Sequence, residues 1–168
     1  RHAYQAVADR VLDGYPLEAL FLYDANPVYE TPGGAKFIEA FGKIPFIVSF
    51  SSFMDESAEH ADLLLPEPTF LERWQDDYME GLGYPGVALR QPVIEPLYDT
   101  MNTGDFLLSV TQEMGGAVAE AFPWDSFESL LQDRLQNVGT DWETLKELGV
   151  WMVPGYRFSR RGSTRWVS

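Results

Sequence analysis

Three short apolar runs in this chain each end in side chains that can do binding chemistry. Asp24-Ala25-Asn26-Pro27 follows the first, residues 49–52 close the second with serines, and residues 66–69 follow the third. Turn residues of this kind can aim backbone N–H groups at an anion, while amide and hydroxyl side chains donate to or accept from a polar ligand. On that ground the segments 24–27, 49–52 and 66–69 are the places where a ligand would be met. Bond-breaking chemistry has fewer means. The chain has no Cys, which excludes disulfides, thiolate nucleophiles and iron–sulfur ligation within it. Its two His residues are too few for a His-rich metal site.

The elements that would position those residues alternate. Over residues 3–12, Ala3, Val7 and Val11 recur four apart, with Tyr4, Ala8 and Leu12 beside them, as in an amphipathic helix; Gly14 and Pro16 stop it. Residues 18–23 read as a strand whose apolar character on both parities predicts burial on both faces. Thr31-Pro32-Gly33-Gly34 opens a helix over 35–41, closed by Gly42, and residues 44–50 and 61–65 read as two more strands. Helices alternating with short buried strands predict parallel pairing. In such sheets ligands sit beyond the carboxyl ends of the strands, here residues 24–27, 49–52 and 66–69.

The fold class expected is therefore α/β: a doubly wound, Rossmann-like, mostly parallel sheet with helices on both faces. Residues 67–100, rich in Pro, Gly, Tyr and Asp, predict a long, mostly irregular excursion. Helices over 103–114 and 125–135 follow, the second opened by an Asp125/Glu128 capping box, and a short one begins at Thr140 and Glu143. Residues 1–168 read as one domain, with a core of 3–72 and 101–148 and an extended tail over 150–168.

Apolar residues make up 45% of the 168, so the chain is globular rather than disordered. Its longest apolar runs fall far short of the roughly 20 residues needed to span a bilayer. A net charge of −14 repels phosphate backbones and argues against nucleic acid as a partner. The one basic cluster, Arg157, Arg160, Arg161 and Arg165, is either a solvated tail or a contact to another part of a larger protein.

Three stretches carry a family resemblance. They are Ala19-Leu20-Phe21-Leu22-Tyr23-Asp24-Ala25-Asn26-Pro27, the run from Pro45 through the serine loop to Ala61-Asp62-Leu63-Leu64-Leu65-Pro66 and Glu72, and Arg90-Gln91-Pro92 through Thr100 to Asp105. In this order and spacing they resemble the third domain of molybdopterin oxidoreductase large subunits, the dimethyl sulfoxide reductase or complex iron–sulfur molybdoenzyme family. The closest flavour is the branch of polysulfide and tetrathionate reductases; alternative complex III and the menaquinone reductase complex have similar subunits. The resemblance spans residues 17–131.

That resemblance implies a bis(molybdopterin guanine dinucleotide) cofactor carrying Mo or W, with this segment holding one dinucleotide arm. The cofactor-binding candidates that it implies are Asp24, Asn26, Pro27, Ser49, Ser51, Glu56, Ser57, Thr69, Glu72 and Arg90. Asp24 stands where many relatives have Gly, and some relatives carry a guanine-reading Asp near Ser51. Each residue keeps an ordinary alternative: an Asx-turn for Asn26, helix capping for Glu56, an exposed ion pair with Arg73 for Glu72, a surface pair with Gln91 for Arg90. The metal ligand and any iron–sulfur cysteines would lie outside this segment, which alone is expected to be inactive, with no catalytic or metal-binding residue of its own.

The resemblance further implies two-electron redox chemistry in a respiratory complex. The partners would be the remaining domains of the large subunit and iron–sulfur and membrane-anchor subunits, on the extracytoplasmic side. A metal-free structural homologue in a quinone-linked membrane complex is the alternative. An isolated segment of a larger subunit would expose apolar area, so Phe70, Trp74, Tyr78 and Tyr84 predict self-association.

Overall fold

A computed structural model describes residues 2–78, 86–136 and 138–153. The basic cluster at Arg157–Arg165, Tyr84 and the expected extension past residue 153 lie outside the described residues. The contacts gather in two compact units. The first holds Arg1–Thr69 and Pro96–Phe106, the second the described residues of Phe70–Glu95 and Leu107–Ser168.

The first unit is a parallel sheet with helices. Helix α1 (His2–Leu12) buries Ala8 and Val11 and ends before Gly14, whose φ of 92° takes the left-handed turn that a Cβ would disfavour. Strand β1 (Leu20–Tyr23) buries only Leu22; Phe21 and Tyr23 are exposed. The expected burial on both faces therefore fails for this strand, because it stands at the edge of the order β1-β2-β3. The middle strand β2 (Ile47–Phe50) is buried at every residue, and β3 (Leu63–Leu65) completes the sheet. Both pairings are parallel.

Between β1 and β2 the chain makes two helices rather than the one expected. Helix α2 (Pro27–Glu30) starts with Pro in its first turn, where the missing N–H is harmless. Helix α3 (Gly34–Phe41) buries Phe37, Ala40 and Phe41. A Cβ on Gly34 would stand 1.9 Å from the Val28 carbonyl oxygen, so the close approach of α2 to α3 requires glycine there. Leu22 and Ile47 meet Ala8, Val11, Phe37, Ala40, Phe41 and Ile44 in one core under α1 and α3. On the other face Phe50 packs edge-on against Phe21 at 6.1 Å and Phe106 at 5.5 Å between ring centroids. Phe106 belongs to helix α4 (Thr103–Met114), which starts in the first unit and continues into the second.

The second unit is built on antiparallel pairing. Strands β4 (Gln75–Tyr78), β5 (Gly86–Arg90) and β6 (Val150–Met152) form a sheet in that order. The excursion 67–100 is thus irregular over 91–100 but contributes two strands before it. Gln-Asp-Asp-Tyr is too polar to read as a strand; pairing across to β5 makes it one. Helices α5 (Gly116–Ala121), α6 (Phe127–Leu135) and α7 (Trp142–Leu148) follow. Val87 and Leu89 pack with Leu131, Leu135, Trp142 and Leu145, and Trp74 stacks on Trp142 at 5.7 Å. Trp74 is therefore core, while Phe70 and Tyr78 are exposed.

Two caps differ from expectation by one residue. Ser126, not Asp125, caps α6: its hydroxyl accepts from the Ser129 N–H at 3.1 Å, and Ser129 Oγ accepts from the Ser126 N–H at 3.2 Å. Asp141, not Thr140, caps α7 by accepting from the Thr144 N–H at 2.9 Å. In both cases the side chain three residues before the recipient amide has the reach.

Candidate nucleotide-holding rim

The parallel register brings three strand ends to one edge. Tyr23 stands beside Phe50 and Phe50 beside Leu65, so Asp24, Ser51 and Pro66 leave the sheet on the same rim. This is the placement that the alternation of elements predicts. Asp24 turns the chain there with φ 47°, the one positive φ at a non-glycine residue among the described residues. Asp tolerates this region better than most L-residues, and Gly would suit it without strain.

The next residues build a hydrogen-bonded network. Asn26 caps α2, with its Oδ1 accepting from the Tyr29 N–H at 3.4 Å. The same oxygen accepts from Ser57 Oγ at 2.7 Å, and Ser57 Oγ in turn accepts from the Val28 N–H at 3.1 Å. Asn26 Nδ2 donates to Glu56 Oε2 at 2.8 Å. Asp55 Oδ1 accepts from the Ser57 and Ala58 N–H groups at 3.0 and 2.8 Å, which fixes the loop that carries the pair. Ser57 is fully buried and Glu56 is exposed. The Asn26 amide, aided by Glu56's own backbone N–H, holds the Glu56 carboxyl below its ordinary pKa.

The other candidates divide. Pro27 is buried at the start of α2 and shapes the turn. Ser49 is 3% exposed in the middle strand, so as placed it supports the sheet and does not reach the rim. Ser51 Oγ is held by its own loop, donating to the Phe53 carbonyl at 2.7 Å and accepting from the Phe53 N–H at 3.2 Å. Thr69 is exposed at the end of the first unit.

Glu72 and Arg90 belong to the second unit. Glu72 is 8% exposed, so an exposed ion pair with Arg73 does not describe it. Arg90 donates from Nη2 to Gln75 Oε1 across β4–β5 and lies over the Phe70 ring at 5.9 Å. Gln91 Nε2 donates to the Lys146 carbonyl at 2.6 Å and so braces α7.

One residue that the sequence reading passed over is Glu67. It is 5% exposed, and its carboxylate accepts from the Thr103 hydroxyl and N–H at the start of α4. Ser52 Oγ donates to its carbonyl at 2.8 Å. An acid set between Pro66 and Pro68 directly after an apolar strand was the available signal.

The donor set tests what the rim can hold. A carboxylate offers about four acceptor positions, and Glu56 uses two, one for the Asn26 amide and one for its own backbone N–H. The rest suit a group with adjacent N–H or O–H donors, such as a guanine edge or a ribose diol. A diphosphate at the start of α2 does not fit. Pro27 has no N–H, Val28 N–H goes to Ser57 Oγ, and Tyr29 and Glu30 N–H groups go to Asn26. Two lysines of the first unit bind elsewhere, Lys36 to Asp9 at 3.4 Å and Lys43 to the Leu12 carbonyl at 3.2 Å.

In open parallel α/β sheets, ligands bind beyond the carboxyl ends of the strands, where this sheet gathers its polar loops. Comparison with known proteins gives the family. The model of the molybdopterin oxidoreductase family matches residues 6–102, and the chain belongs to that family. It is 37% identical over 131 residues to the menaquinone reductase molybdopterin-binding-like subunit of Nitratidesulfovibrio vulgaris, covering 77% of this chain and 18% of that protein. It is 29% identical over 147 residues to the thiosulfate reductase molybdopterin-containing subunit of Salmonella typhimurium, covering 86% and 19%. The solved structure of acetylene hydratase from Pelobacter acetylenicus superposes with a TM-score of 0.76 at 24% identity, over 89% of this chain and 20% of that one, which bears on fold. The chain spans about a fifth of the length of these relatives.

Proposed function

We propose that this chain is the interior segment of a molybdopterin oxidoreductase large subunit that holds one arm of a bis(molybdopterin guanine dinucleotide) cofactor. The observation that carries this reading is the rim itself. Three parallel strand ends share one edge, and the Asn26–Ser57–Glu56 network stands on it. Family membership supports it, since the matched residues 6–102 include all ten candidate positions. Asn26 and Glu56 would meet the nucleotide. Asp24, Pro27 and Ser57 shape the turn that presents them.

When bound, the cofactor supplies two-electron redox chemistry at Mo or W. This chain's own part is to bind and orient. The names of its relatives, both subunits, support assembly with partners, for which iron–sulfur and membrane-anchor subunits on the extracytoplasmic side are the natural choice. Analysis of the freshly purified full-length subunit tests the reading. About one Mo or W and guanine nucleotide in fixed ratio to protein are expected.

A second reading keeps the fold without the metal, as a structural subunit of a quinone-linked complex. It draws on the relative whose name is molybdopterin-binding-like. A full-length subunit with neither metal nor nucleotide would decide for it.

A further inference from the structure

We infer that β1 is a docking edge: a further strand of the same polypeptide, from upstream of residue 1, runs parallel to β1 in the apolar groove beside it and leads into α1. The inference rests on the proposed reading of the chain as a segment of a longer large subunit. Backbone direction supplies the first observation. Leu20 N–H donates to the Phe46 carbonyl, just before β2, at 2.9 Å. Residues of a strand address its two sides alternately, so Leu20 and Leu22 face β2 while the N–H and C=O groups of Phe21 and Tyr23 face the other way. No strand of the described residues lies on that side. Outward-facing backbone groups of this kind are a template for another strand.

The space beside that edge is the second observation. A groove of about 290 Å³ between β1 and α1 is lined by apolar and aromatic side chains, among them Tyr4, Val7, Leu20, Phe21, Tyr23 and Phe41. Tyr4, Val7, Phe21 and Tyr23 are exposed. An added strand would pair its backbone with Phe21 and Tyr23, and every second side chain would fill the groove and remove apolar surface from water.

Helix placement fixes which strand this is. Ala8 and Val11 of α1 pack with Phe37, Ala40 and Phe41 of α3 over Leu22 and Ile47, so both helices cover one face. Helix α3 lies on the crossover from β1 to β2. Crossovers between parallel strands are right-handed in about 98% of cases. A helix on the same face that feeds β1 therefore comes from a strand on the side of β1 away from β2, which is the open edge. The chain spans about a fifth of the length of its relatives, which leaves ample polypeptide to supply that strand.

Two measurements on the full-length subunit test the inference. Hydrogen–deuterium exchange is read first at residues 20–23. The Phe21 and Tyr23 amides should exchange about a hundredfold or more slowly than freely exposed amides, and exchange at the exposed rate would overturn the inference. Next, Tyr4→p-benzoylphenylalanine puts a photoreactive ring in the groove, and its adduct is mapped by mass spectrometry. An adduct with a peptide upstream of residue 1 in the same polypeptide is expected. An adduct with a second copy, with another subunit or with a downstream segment would overturn the inference, as would the lack of any adduct. Metal and nucleotide analysis tests the proposed function separately. A subunit without cofactor that still gives the upstream adduct would sink the cofactor role and leave the added strand standing.

Discussion

The two units of this chain solve the same packing problem in opposite ways. In the first, three strands run parallel, so every strand end of one polarity reaches the same edge, and polar loops accumulate there. In the second, the strands alternate in direction, and their ends are distributed between both edges. The first unit leaves a network of Asn26, Ser57 and Glu56 on its rim. The second uses its polar groups internally: Arg90 on Gln75, Gln91 on α7, Ser126 and Asp141 on helix starts. Strand direction, more than composition, decides which unit can present a site.

That contrast can be broken most severely from the second unit's core. Leu131 is fully buried, and Leu131→Ala should cost about 2–5 kcal/mol. Urea unfolding followed at Trp74 and Trp142 should show the loss; a midpoint near that of the natural chain would mean that the antiparallel unit does not depend on this core. In the first unit Gly34→Ala forces a Cβ against the Val28 carbonyl and should cost about 1–3 kcal/mol, with loss of the α2–α3 contact visible in amide shifts. Ser57→Ala removes the buried hydroxyl that joins Val28 N–H to Asn26, for about 1–3 kcal/mol. Asp141→Ala removes the α7 cap and should cost less, because Asp141 is exposed. Thermal denaturation of these last two should rank Ser57→Ala as the more damaging; the reverse order would place more of the stability in capping than in the rim.

The gentlest probe is pH. Glu56 and Asp141 both have lowered carboxyl pKa values, Glu56 through Asn26 and Asp141 through Thr144. Their contributions are in place above the ordinary carboxylate pKa and disappear as pH falls through the lowered folded values. NMR titration should show the Asn26 side-chain amide shifting in that acid range. An amide signal indifferent to pH would separate Asn26 from Glu56 in solution.

Much of the first unit was legible because its determinants are local. Apolar runs bounded by turn residues gave β1, β2 and β3, and the helix spacing gave α1 and α3. Partner-dependent features were not legible. Edge placement exposes Phe21 and Tyr23, which no periodicity in residues 18–23 records. Strand β4 exists through pairing with β5, and β5 pairs β6 some sixty residues away. At the rim, turn chemistry pointed to the segment that holds Asn26, and the family resemblance to Glu56. That Ser57 would be the buried link between them, that Ser49 would be buried, and that Ser51 would bind its own loop depend on side-chain direction.

The hydroxyl of Ser57 has one more consequence. By receiving the Val28 amide it joins residues 29 apart in sequence. Closing a loop of that size is entropically unfavourable in an unfolded chain, and the cost grows only slowly with length. The contact therefore works as a reversible staple between the β1–β2 and β2–β3 connections, and the rate at which the Val28 amide exchanges its hydrogen for deuterium reports how often the two part.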